Sequence, residues 1–338
     1  KPLRGANGVV LDCMSRALRP LHYSMYITKT IPWPLEEWRH PEASNYYAVV
    51  NKIIQYWEVS ARPDLEPVFT SNEEGDDTED HPGSPVLLKE FVDVARQIKY
   101  LRVRLRSVGL QPDLMIYKEQ WMCRVIASVP HLCELLYQYG PSGSGKDVDA
   151  LFVQELLGVE YTGTIPTGDV VRMGCQQERG VEGSTPTMSS LNGKRAALVA
   201  EVPKGPFAWL RLKHYVEQQG IKLSTRANNK APEVANPTYA ILRWSNYAPE
   251  FGNTVGAARR CTVVQLNNRY GHKDNPGEME FEDDAFLKYK IQKGEFVQDQ
   301  LWTGLAWMPA FMKCSTMVRK PQAALQHASD CQVNLSVD

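Results

Sequence analysis

The stretch Gly140-Pro141-Ser142-Gly143-Ser144-Gly145-Lys146 constrains this chain more than any other. It has the form G-x-x-x-x-G-K. Before it lies the short apolar run Leu135-Leu136-Tyr137-Gln138-Tyr139, and after it Asp147 to Leu157 carries apolar residues at 148, 151, 152 and 156. The run reads as a strand ending at Gly140, and the spacing predicts a helix that Gly158 is well placed to end. Glycines let successive backbone N–H groups turn inward around phosphate oxygens. Lys146 adds a point charge for the β and γ phosphates, and the helix start offers its positive end to the anion. Gly140, Pro141, Ser142, Gly143, Ser144, Gly145, Lys146 and Asp147 are therefore the predicted nucleotide-binding residues, with ATP and Mg²⁺ as the expected ligands.

Asp147 stands where a Ser or Thr normally meets Mg²⁺. A carboxylate is a hard oxygen donor, so Asp147 is expected to hold the metal directly or through water. It also places negative charge beside the phosphates, and the competing reading is a weakened ATPase. Downstream, Ala196 to Ala200 is a buried strand running into Glu201. An acid at such a strand end can orient and deprotonate an attacking water. The position before it, where a second acid is usual, is Ala200, so Asp147 and Glu201 are the two candidate metal carboxylates. A third apolar run, Tyr239 to Trp244, leads to Ser245-Asn246, where Asn246 could sense the γ-phosphate or the lytic water. A fourth, Cys261 to Leu266, is preceded by Arg259-Arg260. Either arginine could complete a neighbouring subunit's site in trans, or simply form a salt bridge at a strand edge.

Between 194 and 230 stand eight basic residues, Lys194, Arg195, Lys204, Arg211, Lys213, Lys222, Arg226 and Lys230, opposed only by Glu201 and Glu217. That local excess suggests a phosphate-binding surface, and His214 and Tyr215 inside it could stack on or bond to a strand of nucleic acid. A second basic run, Arg96, Lys99, Arg102, Arg104 and Arg106, accompanies the helical seam Val94, Ile98, Leu101 and Leu105; it is either a solvated face or a phosphate contact.

The remainder is organised more loosely. Residues 1 to 32 read as short strands and turns, Tyr46 to Trp57 and Trp121 to Pro130 as helices, and Asp284 to Lys313 as helical again. Residues 71 to 85 are an acidic, solvated insertion, and residues 320 to 338 a loose polar tail. The net charge of −1 excludes a globally basic nucleic-acid coat but not a local basic channel. No apolar run reaches the ~18 residues of a membrane span, so no membrane partner is expected. The seven cysteines, Cys13, Cys123, Cys133, Cys175, Cys261, Cys314 and Cys331, contain no C-x-x-C pair. They read as buried thiols in a reducing compartment rather than a zinc ribbon or disulfide framework. No apolar leader follows Lys1, so no signal peptide is expected, and the chain is expected to be part of something longer. With no targeting signal legible, the compartment stays unknown beyond intracellular, with the nucleus or a viral replication site as candidates.

These pieces, in this order, resemble the superfamily 3 helicases, in particular the primase–helicase group of large DNA viruses, phages and plasmids. The resemblance covers roughly residues 5 to 315. Gly140 to Asp147 matches the group's Walker A, although the loop there commonly ends in Gly-Lys-Ser. Leu191 to Arg195 followed by Ala197 to Glu201 looks like its Walker B region. Leu212-Lys213 and Thr225-Arg226 resemble the segment carrying the DNA-contacting hairpin, and Trp244 to Pro249 is similar to motif C, whose Asn is the sensor. Arg259-Arg260 sit where the arginine finger is expected, and Asn7 to Pro32 resembles the end of the preceding domain. No primase active site is evident.

The resemblance implies an α/β P-loop NTPase fold of AAA+-like type, with a central parallel sheet between helices and a helical C-terminal extension. The implied division is 1–120 for the N-terminal region, 121–275 for the ATPase core and 276–338 for the C-terminal helices and tail. It further implies a ring, usually hexameric, that hydrolyses ATP to translocate on single-stranded or forked DNA. Lys146, Glu201 and Asn246 would act in cis, and Arg260 or Arg259 in trans. Two alternatives stay open: a degenerate nucleotide- and DNA-binding module without turnover, and an unrelated small-molecule kinase indifferent to DNA.

Overall fold

In a computed structural model of the chain, the described residues are 2–22, 29–60, 85–109, 111–128, 134–171, 186–216, 223–225, 233–235, 239–251, 260–270, 280–281 and 286–313. The acidic stretch 71–84, the tail beyond 313, Arg226, Arg259 and Cys133, Cys175, Cys314 and Cys331 lie outside them.

The chain opens with β1 (Leu3–Arg4), β2 (Val9–Asp12) and β3 (Ala17–Pro20), a three-stranded antiparallel sheet in sequential order. Four helices follow: α1 (Ala43–Ser60), α2 (Pro85–Gln97), α3 (Lys99–Ser107) and α4 (Pro112–Ala127). The seam Val94–Leu105 is not one helix. Ile98 is extended, with φ −92° and ψ 117°, and its buried side chain sits at the corner between α2 and α3. The helix expected from Trp121 begins earlier, because Pro112 fits its first turn, where no N–H partner is needed.

The central layer consists of β4 (Leu135–Tyr139), α5 (Val148–Tyr161), β5 (Thr162–Thr164), α6 (Pro186–Ser190), β6 (Ala196–Val202), α7 (Trp209–Val216), β7 (Leu223–Thr225), β8 (Glu233–Ala235), β9 (Ala240–Ser245) and β10 (Cys261–Gln265). Five strands form a parallel sheet in the order β10-β4-β9-β6-β5. Such a sheet needs cover on both faces, which is why its strands read as continuous apolar runs rather than alternating ones. Leu136, Leu198, Leu242 and Val264 enter one core, and Tyr137, Val199, Ile241 and Val263 the other. The acid-bearing strand β6 is separated from β4 by β9. With the phosphate loop leaving β4, this is the P-loop NTPase fold of AAA+-like type expected from the sequence. β7 and β8 pair antiparallel as a hairpin between β6 and β9.

After a short parallel pair, β11 (Arg269–Tyr270) and β12 (Glu280–Phe281), the chain returns as α8 (Leu287–Gln292), α9 (Val297–Ala306) and α10 (Met308–Lys313). These helices share one apolar core with α1–α5. Indole hydrogen bonds mark the seam: Trp38 Nε1 donates to Asp299 Oδ1 at 2.9 Å, Trp302 Nε1 to the Glu36 carbonyl at 2.9 Å, and Trp307 Nε1 to Tyr46 Oη at 3.2 Å. Among the described residues, Cys13, Cys123 and Cys261 are buried thiols outside any disulfide, and no helix is long and apolar enough to cross a membrane.

Candidate nucleotide-binding site

The loop that follows β4 is shaped by its contacts with the ends of β9, β10 and β11. The Gly140 N–H donates to the Ser245 carbonyl at 3.3 Å, and the Leu266 N–H to the Tyr139 carbonyl at 2.8 Å. A Cβ on Gly140 would stand 2.3 Å from the Leu266 carbonyl oxygen, so no larger residue fits. Gly140→Ala is therefore expected to displace the loop. It should cost about 1–3 kcal/mol in urea unfolding through overpacking, and weaken binding of a fluorescent nucleotide by at least ~10-fold. Gly145 has φ +75°, and the Tyr270 ring lies 3.0 Å from where its Cβ would be, while the Tyr270 N–H donates to the Gly143 carbonyl at 3.0 Å. Ser144 Oγ is fully buried inside the loop with no hydrogen-bond partner. It faces Gly140, 3.0 Å from where a Cβ there would stand, and does not line the cleft described below.

Lys146 is half-buried, and its Nζ donates to the Pro141 carbonyl at 2.8 Å. Burial pushes its ammonium below the usual lysine range, while the nearby Asp147 and Glu201 carboxylates pull it back up. Asp147 takes the N-cap position of α5 without capping it, in helical geometry at φ −78° and ψ −17°. Its Oδ2 instead accepts from Lys288 Nζ of α8 at 2.8 Å.

Glu201 is exposed and sits at φ +42°, a left-handed conformation rare for a residue with a Cβ. It lies where the pairing of β6 with β9 shifts register between Val199 and Val202. The bulge turns Glu201 out of the sheet at the strand's carboxyl end, a strain of about 1–3 kcal/mol of the kind that clusters at functional sites. Pairing resumes at Val202, whose carbonyl accepts from Ser245 Oγ at 2.7 Å. The same Oγ accepts from the Tyr247 N–H at 3.1 Å, and Tyr137 Oη donates to the Tyr247 carbonyl at 2.7 Å. Asn246 is thereby pinned beside the end of β6. Beneath the loop after Glu201, Arg243 is buried between the rings of Tyr137 and Phe207, at 4.6 Å and 4.2 Å from their centroids. Burial brings it down to about 10, still a cation at neutral pH.

A cleft of about 770 Å³ opens over these elements, and Lys146, Asp147, Glu201 and Asn246 all line it. So do Arg106, Tyr270 and Lys288, which the sequence reading did not assign to the site. Arg106 was visible as the last member of a basic run; Tyr270 and Lys288 carried no signal, since only tertiary packing brings β11 and α8 to the loop. Among the described residues no group of three or more His, Cys, Asp or Glu is poised for a metal. The two cleft carboxylates, Asp147 and Glu201, suit Mg²⁺, which keeps most of its ligands as water and phosphate oxygens.

Other predicted residues fall elsewhere. Arg260 precedes β10 at the end of the sheet opposite the cleft, about 17 Å away by strand rise. Its guanidinium lies 5.8 Å from the centroid of the Trp209 ring, so it does not enter the cleft of its own chain. Arg259 and Arg226 are outside the described residues. Lys213 is half-buried and His214 lies on the same helix, α7, rather than in the β7–β8 hairpin.

Among the described residues, several members of the two basic runs are tied up inside the fold. Lys194 donates to the carbonyls of Val159 and Glu160 at 2.7 Å and 3.1 Å, satisfying the end of α5. Arg195 is buried, donating to the carbonyls of Ile126 and Pro2. Both meet carbonyls at helix ends, which have no partner within the helix and need donors. In the earlier run, Lys99 pairs with Glu295 at 2.8 Å, Arg104 is buried between Glu119 and Asp149, and only Arg106 reaches the cleft.

No family model matches the chain, and no curated protein matches it. Among solved structures it is similar to the apo NrS-1 C-terminal region (12% identity, TM-score 0.47, covering 69% of this chain and 50% of that one). A second apo form of the same region aligns at 13% identity and TM-score 0.42, covering 61% and 44%. A JCV helicase bound to a thiazolopyridine-containing acetamide aligns at 14% identity and TM-score 0.31, covering 75% and 68%. The chain spans about half the length of the NrS-1 structures it matches. The fold assignment stands on the strand order and phosphate loop of the chain itself.

Proposed function

We propose that this chain binds ATP with Mg²⁺ and hydrolyses it as the motor of a viral or mobile-element replication helicase. The observation that carries the reading is the convergence of Lys146, a bulge-presented Glu201 and a pinned Asn246 in one cleft at the carboxyl ends of parallel strands. Ligands of open α/β sheets bind at such ends.

In this reading the loop backbone of Gly143, Gly145 and Lys146, which line the cleft, holds the phosphates. Lys146 neutralises charge that builds up as the γ-phosphoryl group departs, which favours the transition state over the ground state. Glu201 orients a water in line and accepts its proton, and Asn246 holds that water or the γ-phosphate through its side-chain amide. A divalent cation, held by Asp147 and Glu201, would withdraw charge from the phosphate oxygens. Arg260 or Arg259 would act on the next subunit, a role that suits the position of Arg260 at the sheet end away from its own cleft. DNA contact is assigned to the β7–β8 hairpin, whose connecting residues 226–232 include Arg226 and Lys230 and no acid, with Lys213 and His214 on the neighbouring α7. A binding module without turnover is the second reading, favoured by the departures at Asp147 and Ala200.

Steady-state ATP hydrolysis with Mg²⁺, with and without single-stranded DNA, tests this. A DNA-stimulated rate that falls at least ~100-fold in Lys146→Ala is the expected result. Nucleotide binding without turnover in either condition would leave the binding module. Turnover indifferent to DNA would point to the kinase alternative.

A further inference from the structure

The geometry points to Lys288 as a nucleotide-site residue whose charge compensates Asp147. The inference rests on the nucleotide-site reading above and concerns how an acid can occupy that corner of a phosphate loop at all. A carboxylate there adds a negative charge where a polyanion must bind, at a position a neutral hydroxyl usually fills. Asp147 does not spend that charge on its helix, since its side chain makes no cap hydrogen bond. It is met instead by Lys288 Nζ at 2.8 Å, from α8, 141 residues later in the chain, and both residues line the same cleft.

Charge counting follows. A neutral hydroxyl with a divalent cation presents +2 to the phosphates, and Asp147 with the same cation presents only +1. Adding Lys288 restores +2. Without any divalent cation, the Asp147–Lys288 pair presents no net charge, whereas Asp147 alone would present −1.

Both side chains reach solvent, 65% exposed for Lys288 and 45% for Asp147, so as a surface ion pair they contribute little to folding. Their effect concentrates on a ligand that carries several negative charges. A structural tether and a compensating charge therefore predict different things. A tether would move stability and leave affinity alone; a compensating charge would do the reverse.

The test is a double-mutant cycle read by titration of a fluorescent ATP analogue, in EDTA and in Mg²⁺, with thermal unfolding measured alongside. Lys288→Met should weaken binding about 10-fold in EDTA and less in Mg²⁺, because the exposed carboxylate then faces the phosphates. Lys288→Arg should stay within about threefold of wild type, since it keeps the charge. Asp147→Ser/Lys288→Met should return to within about threefold, giving strong coupling between the two sites. All variants should unfold within ~2 °C of wild type, as expected for an exposed pair. An unchanged affinity in Lys288→Met, or effects that simply multiply in the double variant, would overturn the assignment while leaving the nucleotide site standing. Failure of the wild type to bind nucleotide in either buffer would overturn the nucleotide-site reading and this inference with it.

Discussion

Glu201→Gln is expected to lower ATP turnover by about 10²- to 10⁴-fold, the usual worth of a general base, while leaving nucleotide affinity in EDTA, where no cation bridges Glu201 to the phosphates, within about threefold. The substitution keeps size and hydrogen-bonding reach but removes the ability to accept a proton. Single-turnover hydrolysis beside equilibrium nucleotide titration separates the two quantities. The left-handed backbone at Glu201, φ +42°, makes a companion variant informative. Glu201→Gly should lose turnover to the same degree and yet gain about 1 kcal/mol in urea unfolding, because glycine relieves the strain. A residue kept at a conformational cost for its carboxylate behaves this way; a residue kept for stability would lose on both counts. Equal turnover in wild type and Glu201→Gln would remove Glu201 from the chemistry.

Arg104→Met is expected to be among the most destabilising single changes in the chain, at about 3–5 kcal/mol, because it leaves buried carboxylates short of a partner. Arg104 Nε meets Glu119 Oε1 at 3.0 Å, and its guanidinium also pairs with Asp149. Lys118 Nζ stands 2.6 Å from Asp149 Oδ2 and donates to Ser107 Oγ at 3.1 Å. Gln138 Nε2 and Thr303 Oγ1 fill further acceptor sites on the two acids, at 2.5 Å and 3.3 Å. Two cations and two anions, all nearly inaccessible to water, thus join α3, α4, β4, α5 and α9. The Lys52–Glu90 pair gives the contrast: it has a short 2.7 Å contact, but its side chains are 53% and 38% exposed. Lys52→Ala should cost no more than ~1 kcal/mol. Urea denaturation of the two variants measures the difference, and a loss below ~1 kcal/mol in Arg104→Met would mean the network is replaceable.

The phosphate loop and its flanking strand and helix were legible because glycine spacing and apolar periodicity are local signals. The strands ending at Val202, Ser245 and Gln265 were legible for the same reason: a sheet covered on both faces leaves unbroken apolar runs. The order of those strands was not, since nothing local tells β9 to insert between β4 and β6. The corner at Ile98 was invisible because an apolar residue at the right spacing continues a helical seam, and no Gly or Pro marks the break. Arg104, Lys194 and Arg195 misled in a common way. Charged side chains read as surface until burial and exact partners are known. Lys288 lies at the far end of the same difficulty, its meaning set by a carboxylate in a different part of the chain.

The indole hydrogen bonds between the N-terminal segment and α9 also set the timing of assembly. Trp38 and Asp299 are 261 residues apart, and Trp302 and Glu36 are 266 apart. The apolar side of α1, with Tyr46, Val50 and Ile53 buried in the finished core, has no C-terminal cover until the last helices have been made. At ribosomal rates of about 5–20 residues per second, that interval is roughly 13–50 s. Contacts so distant in sequence also make folding slow once the chain is complete. During synthesis the nascent chain therefore carries α1 without its C-terminal cover for roughly 13–50 s, and a chaperone that shields that side of α1 would bear directly on yield.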